Sequence, residues 1–264
     1  MSLLQYEFLR NALLAGFLVS VACAIVGTLI VVRRMVFLAG GIAHVAFGGV
    51  GIGVFLGIDP IRSALVFTVL SALGMGLALE RLEISEDSAI GILWAIGMAI
   101  GALFVGLTPG YVPDLMGYLF GNILMVPTGE LAVMALLDLG LFAVTLSFWK
   151  ELVAVSFDPE FAWVVGVRTK LINTVFLLMI ATSCVMLIRA VGIVLVLALI
   201  TIPAVSSRHF TKSLGWMMFI SGLFGLGFVM VGLYLSFLFD IPSGATIVLV
   251  AGLAFLLLEG FKKS

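Results

Sequence analysis

Residues 35–57 read MVFLAGGIAHVAFGGVGIGVFLG, a run whose one polar side chain is His44. It is otherwise apolar helix, weakened by glycine. Gly41, His44, Gly48 and Gly51 are separated by three, four and three residues, so on a helix they form one stripe. The stripe carries no bulky group except the imidazole. Such a face either packs against another backbone or lines a narrow passage. The histidine itself has two readings. It is a structural group bonded to a neighbouring carbonyl, or a ligand or relay for a passing cation, since neutral imidazole is a common ligand for transition metals.

The chain around this stretch has the same character. Of 264 residues 63% are hydrophobic and 10% charged, and the mean hydropathy is +1.35. Soluble domains carry about a quarter charged residues, so these values describe a multi-pass membrane protein. The net charge of −1 gives no sign of nucleic-acid binding. Cys23 and Cys184 both lie in apolar runs and read as small buried hydrophobes, with no disulfide inferred. The first apolar run is too long for a signal peptide and reads as a spanning helix.

A crossing helix needs roughly 20 apolar residues. Segments that approach this are Asn11–Val32, Gly40–Gly57, Ile61–Glu80, Ala89–Leu107, Leu131–Phe148, Leu171–Ile188, Val191–Val205, Ser213–Phe237 and Ser243–Leu258. Gly40–Gly57 and Val191–Val205 are short, so they are expected to cross incompletely or to start partway into the membrane. The piece DLMGYLFGNILMV, 114–126, is too short to span and reads as a helix tucked back into one face of the bundle. Such backbone is tolerated at depth only inside protein or beside a water-filled cavity. Of the thirteen Lys and Arg residues, ten fall in one alternate set of loops and three (Arg10, Arg62, Arg189) in the other. The ten are expected to face the cytoplasm, with the N-terminus outside and the C-terminus inside. The chain reads as a single transmembrane domain over 1–264.

One loop on the basic side is longer than the rest: KELVAVSFDPEFAWVVGVRTK, 150–170. Asp158 as N-cap, Pro159 at the first helical position and Glu160 in the first turn announce a short helix. Phe161, Val164 and Val165 share one side of it, and it ends near Gly166. It is a docking element, or a surface helix resting on the bundle.

No catalytic machinery is visible. There is no phosphate-binding loop, no paired-histidine zinc motif and no nucleophile elbow, so an enzyme is not expected. Polar groups at membrane depth are then the informative ones. Asp114 precedes the tucked-in piece and Asn122 lies within it. Asp138 sits near the middle of the next helix with no basic neighbour. A carboxylate so placed protonates, finds a partner across the bundle, or faces water.

Five blocks, VVRRMVFLAGGIAHVAFGGVGIG, DLMGYLFGNIL, SFDPEFAWVVGV, RAVGIVLVLALITIPA and IPSGATIVLVAGLAFLL, occur in an order that resembles the permease subunits of the zinc/manganese/iron ATP-binding-cassette importers. The resemblance covers nearly the whole chain. It implies an all-α polytopic fold of the type II class, shared with importers of vitamin B12 and siderophores. It also implies a homodimer in a prokaryotic cell membrane, two cytosolic ATPase subunits, and an extracytoplasmic protein that delivers the metal. No tightly bound cofactor is implied, only the transported zinc, manganese or iron. Phe157, Asp158, Pro159, Glu160, Phe161 and Gly166 fall in the family's coupling helix, which favours docking for that loop. His44 and Asp114 match family positions. Asn122 stands where relatives have Asp or Ser, and Gly40 and Gly41 stand where many have a carboxylate. Asp138 matches no family motif, and the case for it in the ion path is physical alone. The alternative outside this class is a proton-coupled secondary metal transporter with an Asp138–His44 relay.

Overall fold

In a bilayer the backbone finds hydrogen-bond partners only within itself, so long apolar runs become helices. The computed structural model describes residues 6–81, 85–109, 115–193 and 195–262, and among these every regular element is helical. Eight helices are long and apolar enough to cross a membrane. They are α1 (Glu7–Val32), α2 (Val36–Leu56), α3 (Pro60–Arg81), α4 (Glu86–Leu107), α6 (Thr128–Ser147), α9 (Thr169–Val191), α11 (Leu214–Phe239) and α12 (Ser243–Lys262). Shorter helices complete the chain: α5 (Leu115–Phe120), α7 (Trp149–Phe157), α8 (Pro159–Val164) and α10 (Val196–Ser207).

The expectation of an incomplete second segment is corrected. Helix α2 starts at Val36 and runs 21 residues. Glycine lowers helix propensity in water, but here the absent side chains admit neighbouring backbones. A Cβ at Gly48 would lie 2.9 Å from the Gly97 carbonyl oxygen of α4, and one at Gly51 would lie 2.7 Å from the Gly101 Cα. On the adjoining face, a Cβ at Gly53 would lie 2.8 Å from the Pro60 Cα of α3. Helix α2 is therefore clasped on two sides by close-packed neighbours.

The other short segment is short in the structure too. Helix α10 has 12 residues, about 18 Å at 1.5 Å per residue, which is less than the roughly 30 Å hydrocarbon core. It starts from a buried turn at Gly192, not from the bundle's end. The tucked-in piece is split in two: α5, then a 3-10 turn over Ile123–Met125. The Ile193 N–H donates to the Tyr118 carbonyl at 3.0 Å and ties both irregular segments together. The non-helical backbone at Gly121, Ile123, Gly192 and Ile193 is buried in protein, as membrane depth requires, whereas Phe120 and Met125 beside it are exposed.

Helix α1 contains a π-helical turn, Cys23–Gly27. Gly27 at its end lies against the Ile200 carbonyl of α10, where a side chain would collide. Helix α6 divides cleanly by face. Leu131, Met134, Asp138, Leu141 and Thr145 are buried, while Val133, Leu136, Leu139, Phe142 and Leu146 are exposed and suit lipid.

Candidate functional site

The stripe on α2 meets a complementary stripe on α4. Gly41 packs on Ile90, His44 on Trp94, Gly48 on Gly97 and Gly51 on Gly101. The α4 residues are spaced four, three and four apart and pair in parallel order with those of α2. All three glycines are thus closed over by α4. Trp94 was missed by sequence reasoning, although the mirrored spacing of Ile90, Trp94, Gly97 and Gly101 was a usable signal.

His44 is half-buried. Its ring stacks on Trp94 with centroids 4.1 Å apart and planes 27° apart. Nδ1 lies 2.8 Å from the Gly40 carbonyl oxygen, one turn earlier. A carbonyl only accepts, so Nδ1 carries the proton and a neutral ring keeps its lone pair on Nε2. A backbone carbonyl that fixes the tautomer while the other nitrogen stays available is the usual support of a metal-ligating histidine. The structural bond and the ligand reading are therefore compatible in one geometry.

Asp138 faces the interior of the bundle. It is 6% exposed, and both carboxylate oxygens are buried without a hydrogen-bond partner among the described residues. Cys23, in the π turn, lies within electrostatic reach of both Asp138 and Cys184. Both cysteines are free and buried, and the Cys184 thiol donates to the Ala39 carbonyl at 3.6 Å.

Asn122 sits at the junction of the irregular segments. Its Oδ1 accepts from the Leu124 N–H at 3.2 Å, capping the 3-10 turn, and from the Ser243 hydroxyl at 3.4 Å, linking it to α12. Asp114 lies outside the described residues. No three His, Cys, Asp or Glu side chains among the described residues are grouped to hold one metal ion. His44 and Asp138 belong to no such group.

The loop over 150–170 contains two helices, α7 and α8, of which sequence reasoning saw the second. Asp158 Oδ1 accepts from the Phe161 N–H at 2.9 Å, and Pro159 occupies the first turn. Gly166 ends the segment with φ +91°, a conformation that favours glycine. Phe157, Phe161, Trp163 and Val164 are exposed, as is Glu160, whereas Ala162 is buried against the bundle. Arg33 braces the segment from the turn between α1 and α2, an interaction invisible in local sequence. Its Nε donates to the Ser156 hydroxyl at 3.0 Å and its Nη1 to Asn173 Oδ1 at 3.1 Å.

Comparison with known proteins gives a consistent picture. The model of the ABC 3 transport family matches residues 5–261. An uncharacterized membrane protein of Synechocystis is 41% identical, covering 98% of this chain and 92% of its own. A manganese transport system membrane protein, MntC of Halalkalibacterium halodurans, is 33% identical over 97% of this chain and 87% of its own. Among solved structures, PsaBC from Streptococcus pneumoniae in complex with Fab superimposes with a TM-score of 0.87 and 29% identity, covering 97% of this chain and 92% of that one.

Proposed function

The chain belongs to the ABC 3 transport family, and from that premise we propose that it is the membrane-spanning subunit of an importer that carries a divalent transition metal into the cytoplasm. Manganese is the first choice among manganese, zinc and iron, because a relative 33% identical over 97% of the chain is named for manganese transport. Energy comes from ATP hydrolysis on two separate cytosolic subunits. The observation that carries this reading is α8: a capped helix whose apolar side chains, Phe161, Trp163 and Val164, are left exposed next to Phe157 at the end of α7. That is a surface built to be received by another protein.

The ion passes in single steps and meets His44, Asp114, Asn122 and Asp138 as transient donors. A permease needs only to lower the barrier for an ion delivered by an extracytoplasmic binding protein, so separate weak contacts are enough. The working unit is a homodimer. The outer face of α4 supports this, since Gly91, Ala95, Ala99, Ala102 and Gly106 are exposed small residues at helical spacing, which let a second backbone approach. The protein sits in a prokaryotic cell membrane with its N-terminus outside and its C-terminus in the cytoplasm.

The test is uptake of radioactive manganese into proteoliposomes that contain the permease and its ATPase, with and without internal ATP. Uptake that needs ATP and is lost on replacing Phe157 or Glu160 supports the reading. Uptake that persists without ATP and follows a proton gradient instead returns the protein to the secondary-transporter class.

A further inference from the structure

Five cationic side chains, Arg33, Arg34, Lys170, Arg208 and Lys212, line a single cleft of about 1080 Å³. Glu86 is the one carboxylate lining it among the described residues. The cations come from three separate places: the turn between α1 and α2, the start of α9, and the connection from α10 to α11. The rule that places basic residues on one side of a membrane asks only that they share a side. It does not require that three connections bring them into one cleft.

Among the described residues, Arg33 is fixed at this cleft by neutral groups alone. Ser156 and Asn173 accept from it, and its guanidinium carbon stands 4.2 Å over the Phe176 ring. Its Nη2 is buried and has no partner among the described residues. Burial lowers this guanidinium from its usual range to about 10, so it stays charged at physiological pH. A partly buried cation held only by neutral partners leaves charge uncompensated, and such an arrangement is stabilised by an anion. Arg34, which adopts the left-handed conformation with φ +59°, is exposed, as are Arg208 and Lys212. The cleft also has apolar walls, with Val155, Leu177 and Met217 buried in them. Low-dielectric walls strengthen the field of the cations.

We propose that this cleft binds the phosphate of an anionic phospholipid from the leaflet at that end of the bundle. The cationic rim holds the headgroup, where arginine forks match phosphate oxygens, and the apolar walls take the start of an acyl chain. The shared chemistry is a phosphate group, and the apolar wall is what favours a lipid over a soluble phosphate. This site does not depend on which ion the protein carries or in which direction, but it adjoins the proposed ATPase-docking segment, since Phe157 and Pro159 also line the cleft.

The experiment is native mass spectrometry of the full chain, mixed with phosphatidylglycerol or phosphatidylcholine, with inorganic pyrophosphate as the soluble competitor. The wild type is expected to retain phosphatidylglycerol with a preference of roughly tenfold or more, and the combined variant Arg34→Gln, Arg208→Gln, Lys212→Gln to lose it. These three side chains are exposed, so the variant tests the charge without disturbing Arg33. Arg62→Gln, at the opposite end of α3, leaves the preference unchanged. Equal retention of both lipids by the wild type, or an undiminished preference in the combined variant, overturns the proposal. Complete displacement of the lipid by equimolar pyrophosphate overturns the lipid assignment in favour of a soluble phosphate ligand.

Discussion

Gly121 and Gly192 stand back to back inside the bundle, each with positive φ, +68° and +78°. A Cβ on either would run into the backbone of the other's turn. The pair lets the end of α5 touch the turn between α9 and α10, and Gly244 of α12 closes on the same spot: a Cβ there would lie 2.5 Å from the Phe120 carbonyl oxygen. Gly121→Ala and Gly192→Ala each suffer both an unfavourable φ and a collision. Each is expected to destabilise by at least about 1–3 kcal/mol, read as a lower unfolding temperature in detergent. Gly140→Ala, on the exposed face of α6 with nothing within 4 Å, is the control and should be neutral or slightly stabilising.

Asp138 gives a prediction in which stability and transport move in opposite directions. Its carboxylate is buried and unpartnered among the described residues, on an otherwise mostly apolar inner stripe of α6. Replacing a buried, unsatisfied polar group with an apolar one relieves about 1–3 kcal/mol. Asp138→Leu should therefore raise the unfolding temperature while it lowers metal uptake in proteoliposomes. A variant that is more stable and transports at the wild-type rate would take Asp138 out of the ion path.

Much of this was legible because it is local. The Asp158 cap, the Pro159 start and the Gly166 stop lie within nine residues, and helix ends are decided at that range. The stripe on α2 was legible as a face, but not what covered it, because its partners are on α4. The same distance hid Arg33, whose acceptors lie 123 and 140 residues away. The second segment reads as incomplete when its start is set at Gly40, whereas the helix begins at Val36, four residues earlier. The π turn at Cys23–Gly27 left no mark in the periodicity. Gly27 at its end packs against the Ile200 carbonyl of α10, a contact from a distant part of the chain.

His44 separates ligand from scaffold by comparing two losses. The Gly40 carbonyl holds Nδ1–H, so in the proposed ligand role Nε2 is the atom that would meet an ion. His44→Ala removes it and should lower uptake roughly tenfold or more, with a smaller drop in folded yield. Trp94→Leu removes the ring stack and keeps the Nδ1 bond, so its uptake should fall less. Parallel losses of uptake and yield in His44→Ala would instead make the imidazole a packing group.

The coupling segment can be tested without transport. Asp158→Ala deletes the acceptor for the Phe161 N–H, a capping loss of about 1 kcal/mol. Because α8 is only 6 residues long, that loss should appear as faster amide hydrogen exchange at Phe161 and Ala162, with global unfolding little changed. Phe161→Ala leaves the cap intact and removes a side chain that is 60% exposed, so neither exchange nor unfolding temperature should move. Both variants should nonetheless retain less ATPase subunit on co-purification, Asp158→Ala because the helix is loosened and Phe161→Ala because the contact is gone. A folded, slowly exchanging Phe161→Ala that still co-purifies its full complement of ATPase would make α8 a surface helix resting on the bundle, and would move the docking surface elsewhere.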